Sequence, residues 1–212
     1  MISRRQFVNF LSALPLVGNG LVKYEQQHIH FSVQESKELA WGYFASNLAD
    51  ALADLDEDEF LILTIKENFR YVQFAAQGKF GLRAEARSNA YEYCGNALSK
   101  QACAKLLDWG WKAPNQRPDN EDDKIRYPDG SPNYFLDVAA PVPYASVADL
   151  AVNTLRNVFG AQHPGVLEYK SFAKDGGDIR FPHLRIKREL MGYRQKTIQK
   201  VELHRGQSGL LL

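Results

Sequence analysis

Cysteine is scarce in this chain: Cys94 and Cys103 are the only two among 212 residues. Their spacing fits neither a CxxC redox motif nor a zinc knuckle, so a cysteine-built metal cluster is excluded. Two unrelated, half-buried thiols in a reduced compartment are the simpler reading, with a single disulfide as the other. Charge excess of one sign is also missing. Lys plus Arg number 26 against 25 Asp plus Glu, a formal net charge of +1, which argues against a surface built as a whole for nucleic acid. No apolar run reaches the length of a membrane-crossing helix. Also absent are a GxSxG elbow, a P-loop, a GxGxxG turn and an HExxH helix, so no nucleophile, phosphate cradle or zinc hydrolase is signalled. No cofactor and no metal are expected. What remains is an ordinary globular composition, 45% hydrophobic and 12% aromatic, enough for one domain with a sizeable core.

The two ends differ from the middle. Ser3-Arg4-Arg5-Gln6-Phe7 stands before an uncharged stretch that runs to Lys23. That resembles a twin-arginine export signal. Asn9, Ser12, Pro15 and Asn19 dilute the stretch, and no alanine-type cleavage site follows. A cytoplasmic protein with a short amphipathic N-terminal element is therefore expected, with export through Arg4-Arg5 as the alternative. At the other end, Arg180, Arg185, Lys187, Arg188, Arg194, Lys196, Lys200 and Arg205 face only Glu189 and Glu202 among acids. A basic tail can bind nucleic acid or an anionic membrane. It can equally be a solvated face, or dock on the protein's own acidic surface. Acid is concentrated in Asp50, Asp54, Asp56, Glu57, Asp58 and Glu59, which lack EF-hand spacing and read as a solvated helix end and turn. His28 and His30 would share a strand face, but no third ligand is identifiable, so a surface pair is the reading.

The middle reads as one α+β unit. Ser36 caps a helix to Leu55, with Ala40, Phe44, Leu48, Ala51 and Leu55 on one face and Trp41 and Leu52 beside it. Three strands follow: 60–65, 71–76 and 82–87. The last alternates most clearly, with Leu82, Ala84 and Ala86 on one side and Arg83, Glu85 and Arg87 on the other. Short connections make them an antiparallel meander, and the helix is their natural cover. Ser99 caps a helix to Asp108. Residues 112–132 are loop-like, 133–139 a fourth strand, and 145–159 a helix ended by Gly160. The expected fold is an antiparallel sheet, a three-strand meander with at least one more strand, covered by helices. The expected organisation is an extension over 1–31, the α+β domain over 32–172, and a basic C-terminal extension over 173–212.

Several strings in this unit resemble a known family. They are Tyr71-Val72-Gln73-Phe74-Ala75-Ala76; Gly81-Leu82-Arg83-Ala84-Glu85-Ala86-Arg87-Ser88-Asn89; Leu107-Asp108-Trp109-Gly110-Trp111-Lys112-Ala113-Pro114; Asn133-Tyr134; and His163-Pro164-Gly165-Val166-Leu167-Glu168-Tyr169. Together they resemble the TY-Chap N-terminal domain, related to type III secretion chaperones and YbjN-like proteins, over about residues 36–172. The resemblance implies a non-enzymatic module that binds a peptide or protein client, and relatives that frequently form homodimers. An antiparallel sheet can take an extended client along its edge or in apolar grooves. Phe69, Tyr71, Phe74 and Trp111 would supply contact area, or else be core. Arg83 and Glu85 would meet client charges, or else pair with sheet neighbours. An enzyme reading would need Glu85 and Arg83 beside a histidine, and nothing in the sequence places one there.

Overall fold

The computed structural model describes residues 32–91 and 97–189. The Arg4-Arg5 motif, His28, His30, Cys94 and the basic residues from Arg194 onward lie outside them. Helix α1 spans Val33–Ala53. It begins a turn earlier than expected because Ser32, not Ser36, caps it: the Ser32 hydroxyl accepts from the Glu35 N–H at 3.2 Å, and Glu35 accepts from the Ser32 N–H at 2.7 Å. This reciprocal pair satisfies two amide donors that a helix start otherwise leaves open. Trp41, Phe44, Leu48, Ala51 and Leu52 are buried beneath the helix.

The meander is as expected. Strands β1 (Glu59–Ile65), β2 (Tyr71–Ala76) and β3 (Leu82–Ala86) pair antiparallel, Leu61 opposite Phe74 and Phe74 opposite Ala84. Each buries every second residue: Leu61, Leu63 and Ile65; Val72, Phe74 and Ala76; Leu82, Ala84 and Ala86. The β2–β3 turn depends on Gly81, whose φ is +113°. A Cβ there would fall 1.9 Å from the Val138 carbonyl oxygen, so backbone occupies the place of a side chain. Asn68 secures the β1–β2 turn, donating to the Phe159 carbonyl at 3.0 Å and accepting from the Arg70 N–H at 3.0 Å.

Helix α2 spans Lys100–Asp108 with Ser99 as its cap and Leu106 buried. Within the stretch expected to be loop lies a short helix, α3 (Glu121–Arg126). Asn120 caps it, Glu121, Asp122 and Asp123 fill its first turn, and Lys124 and Arg126 its last. The charges thus oppose the helix dipole at both ends, which offsets the poor apolar content of the segment. Strand β4 (Tyr134–Val138) joins β3, and helix α4 (Tyr144–Asn157) lies against α1, β2 and β3.

Packing does not stop at residue 172. Strand β5 (Leu167–Ala173) pairs antiparallel with β1 along its whole length, and the two-residue β6 (Lys187–Arg188) pairs parallel with β5. The sheet order is β4-β3-β2-β1-β5-β6. Between β5 and β6, Phe181 and Leu184 are buried in the core. The Tyr169 hydroxyl accepts the Phe181 N–H at 3.2 Å, and Ser171 donates to the Ile179 carbonyl at 2.7 Å. The first part of the expected basic extension is therefore built into the domain. The architecture is α+β, helices over an open, mostly antiparallel sheet.

Candidate functional site

Pleating sends alternate residues of one strand to opposite faces. The residues not under the helices form the second face, and the register arranges them in rows across the strands. One row reads Asp137, Arg83, Ala75, Phe60 and Phe172 from β4 to β5. The next reads Phe135, Glu85, Gln73, Ile62 and Lys170. A groove of about 350 Å³ opens on this face, lined by Phe60, Ile62, Gln73, Phe74, Ala75, Arg83, Glu85 and Phe172. The Phe60 and Phe172 rings stack with centroids 5.1 Å apart and planes 20° from parallel. A second depression of about 400 Å³ shares Phe60 and Ala75 and extends past Phe80, which is 68% exposed, to Glu57 and Asp58.

The β3 side of the face is a closed polar network. Glu85 accepts from Gln73 at 2.8 Å and from Asn133 at 3.0 Å, and lies 3.2 Å from Arg83 Nε. Arg83 donates to the Asp129 carbonyl at 2.8 Å and its guanidinium lies 4.9 Å from the centre of the Phe135 ring. Asn133 donates to the Tyr71 hydroxyl at 3.3 Å. The expected Arg83–Glu85 row is thus engaged within the sheet, and only its outer surface faces the groove.

Of the residues expected to meet a client, Arg83 and Glu85 line the groove, Phe74 belongs to its lining although its side chain is buried, and Tyr71 stands on the same face through its link to Asn133. Phe74 and Trp111 are corrected to core. Phe74 is 1% exposed because it shares parity with Val72 and Ala76, so its ring turns toward the helices. Trp111 is 2% exposed and donates through Nε1 to Thr154 Oγ1 at 3.0 Å, a buried bond between the segment after α2 and α4. Phe69 is 50% exposed but sits in the β1–β2 turn at φ 56°, away from the groove lining. Sequence reasoning did not single out Phe60, Ile62, Ala75 and Phe172. The signal was the parity of β1: in a run as apolar as Phe60–Ile65, every second residue must face away from the helices.

Edges and face differ in availability. Outside β4, Lys112 and Phe135 exchange backbone hydrogen bonds at 2.8 and 3.1 Å. Outside β5, the Ala173 N–H donates to Gly177 O at 2.8 Å, and Glu189 N–H donates to Tyr169 O at 2.7 Å. Basic residues of the last described stretch are also committed: Lys187 pairs with Glu168 at 2.8 Å, and Arg180 and Arg188 with Asp178. This agrees with docking on the protein's own acidic groups for that part of the basic run. Asp58 of the acidic cluster pairs with Lys174 at 3.0 Å.

Glu85 and Arg83 share the groove, but its lining contains no histidine. His163 accepts the Gly165 N–H at 2.9 Å, and His183 packs edge-on against Phe181. No group of three metal-ligating side chains occurs among the described residues, and none of their helices is long and apolar enough to cross a membrane. Cys103 is a free, half-buried thiol.

No curated protein and no solved structure matches the chain. Residues 34–173, the larger part of the sequence, match the family described as T3SS (YopN, CesT) and YbjN peptide-binding chaperone 3, TY-Chap3. With its helix-covered antiparallel sheet and matching span, the chain belongs to this family of peptide-binding chaperones.

Proposed function

We propose that the protein holds extended, apolar-rich segments of client polypeptides across the open face of its sheet, with no catalytic step. One observation carries this reading: a groove of about 350 Å³ floored by stacked Phe60 and Phe172 lies on the face that none of the described helices covers. Apolar side chains gain roughly 25 cal/mol for each Å² removed from water, and aromatic anchors supply most of the energy in such sites. Gln73, Glu85 and Asn133, already hydrogen-bonded to one another, border the groove with polar groups that need no client partner. The edge-pairing route is disfavoured by the backbone bonds outside β4 and β5. Client, chaperone role and cytoplasmic location are consistent with one another in this reading.

The test places a photo-crosslinking amino acid at Ile62, in the groove, or at Asp149, exposed on α4, and adds synthetic peptides rich in Phe, Leu and Val. Adducts from position 62 and few from 149 are expected, and Phe172→Asp should weaken binding at least about tenfold. Adducts confined to position 149, or full affinity in a folded Phe172→Asp protein, would overturn the proposal.

A further inference from the structure

Each described carboxylate on the open face lies beside a cation, Glu85 and Asp137 sharing Arg83. Glu85 lies 3.2 Å from Arg83, Asp137 lies 3.7 Å from Arg83 and 3.6 Å from Lys112, and Glu168 lies 2.8 Å from Lys187 and 3.8 Å from Lys66. Lys170 is different. It stands in the middle row opposite Ile62, and among the described residues no carboxylate pairs with it. Its ammonium lies 5.3 Å from the centre of the Phe172 ring, which in turn stacks on Phe60. Lys170 thus sets a positive charge, with no carboxylate partner among the described residues, next to Ile62 and Phe172 of the groove lining.

Resting on the open-face reading above, we infer that the groove selects client segments that carry a carboxylate two residues from an aromatic or branched aliphatic side chain. The spacing follows from strand geometry. Lys170 and Phe172 are next-but-one neighbours on β5, roughly 6.5–7 Å apart along the strand. An extended client lying nearly along β5, as stacked sheets lie, repeats that separation between its own side chains i and i+2. Its ring settles on Phe60 and Phe172 while its carboxylate meets Lys170. The opposite placement is penalised. Past Phe60, the second depression is bordered by Asp58, whose charge Lys174 already meets, and by Glu57, which repels a client carboxylate at that end. The pair forms on a half-exposed surface, so it tunes choice among clients while the rings supply affinity.

Synthetic peptides identical except for one position, Asp-x-Phe, Asn-x-Phe and Lys-x-Phe, each also in reversed order, separate the outcomes by fluorescence anisotropy with the full chain. Wild type should bind the better Asp peptide roughly threefold to fivefold more tightly than its Lys counterpart, the range of a partly exposed ion pair. Lys170→Glu should reverse that order, Lys170→Gln should erase it, and added salt should shrink it. Circular dichroism checks that both variants are folded. Equal affinity for all peptides in wild type, or an unchanged order in Lys170→Glu, overturns the charge selection; loss of binding in Phe172→Asp would then still uphold the groove. If no apolar peptide binds wild type at all, the open-face reading itself falls.

Discussion

The two faces of the sheet use the same strands and nearly the same aromatic content, yet they do different work. On the helix side, Phe74 meets Leu61 and Ala84 across the strands and is sealed by α1 and α4. On the open side, Phe60 and Phe172 stack on each other and remain partly in contact with water. One face satisfies its apolar surface internally; the other leaves it available. The comparison teaches that residue parity, more than residue type, separates the core face from the face proposed to bind.

The largest expected break of this contrast is Phe74→Ala beside Phe172→Ala. The first should cost about 3–5 kcal/mol of stability by leaving a cavity. The second should cost about 1 kcal/mol while removing most peptide affinity. Urea unfolding with peptide titration reads both, and equal stability losses would collapse the distinction. Next is Gly81→Ala, which sets a methyl group against the Val138 carbonyl at a positive φ. A loss of about 2 kcal/mol or more is expected, and the urea midpoint measures it. Thr154→Val should follow, at about 1–3 kcal/mol, because it leaves the buried Trp111 N–H without its acceptor. Trp111→Phe, which removes the donor as well, should restore part of that loss in the double variant.

The smallest effect lies at the α1–α4 surface. Arg156 donates hydrogen bonds to Glu38 and thereby holds its carboxyl below the ordinary carboxylate range. A depressed folded-state value means that the stabilisation is present above the unfolded-state value and is lost as pH falls through the folded one. Glu38→Gln should therefore lower the melting temperature slightly near neutral pH, and the difference should disappear in acid once the folded-state carboxyl is protonated. A gap that persists in acid would show that the contact works through packing instead.

Much of this contrast was legible beforehand. The meander could be read because Leu82, Ala84 and Ala86 alternate with Arg83, Glu85 and Arg87, and the helix-side residues of β3 are those expected. The same rule applied to β2 places Phe74 with Val72 and Ala76, on the helix side. β1 hid its parity, since Phe60, Ile62 and Thr64 are nearly as apolar as Leu61, Leu63 and Ile65; only a covering helix decides between them. β5 also alternates, but Ser171 occupies a buried position and Glu168 and Lys170 interrupt the apolar signal. Its buried serine is tolerated because the Ile179 carbonyl accepts a hydrogen bond from its hydroxyl, a partner that no local pattern announces. α3 was missed because its stabilisation comes from a cap and end charges, while its one large apolar residue, Ile125, is exposed.

The backbone bonds that Lys112, Gly177 and Glu189 place outside the sheet have a wider consequence. A chaperone meeting sticky strands edge to edge would offer each one a ladder on which the next could build. If the client lies on the open face as proposed, the backbone bonds outside β4 and β5 leave less of those edges for a second strand to extend.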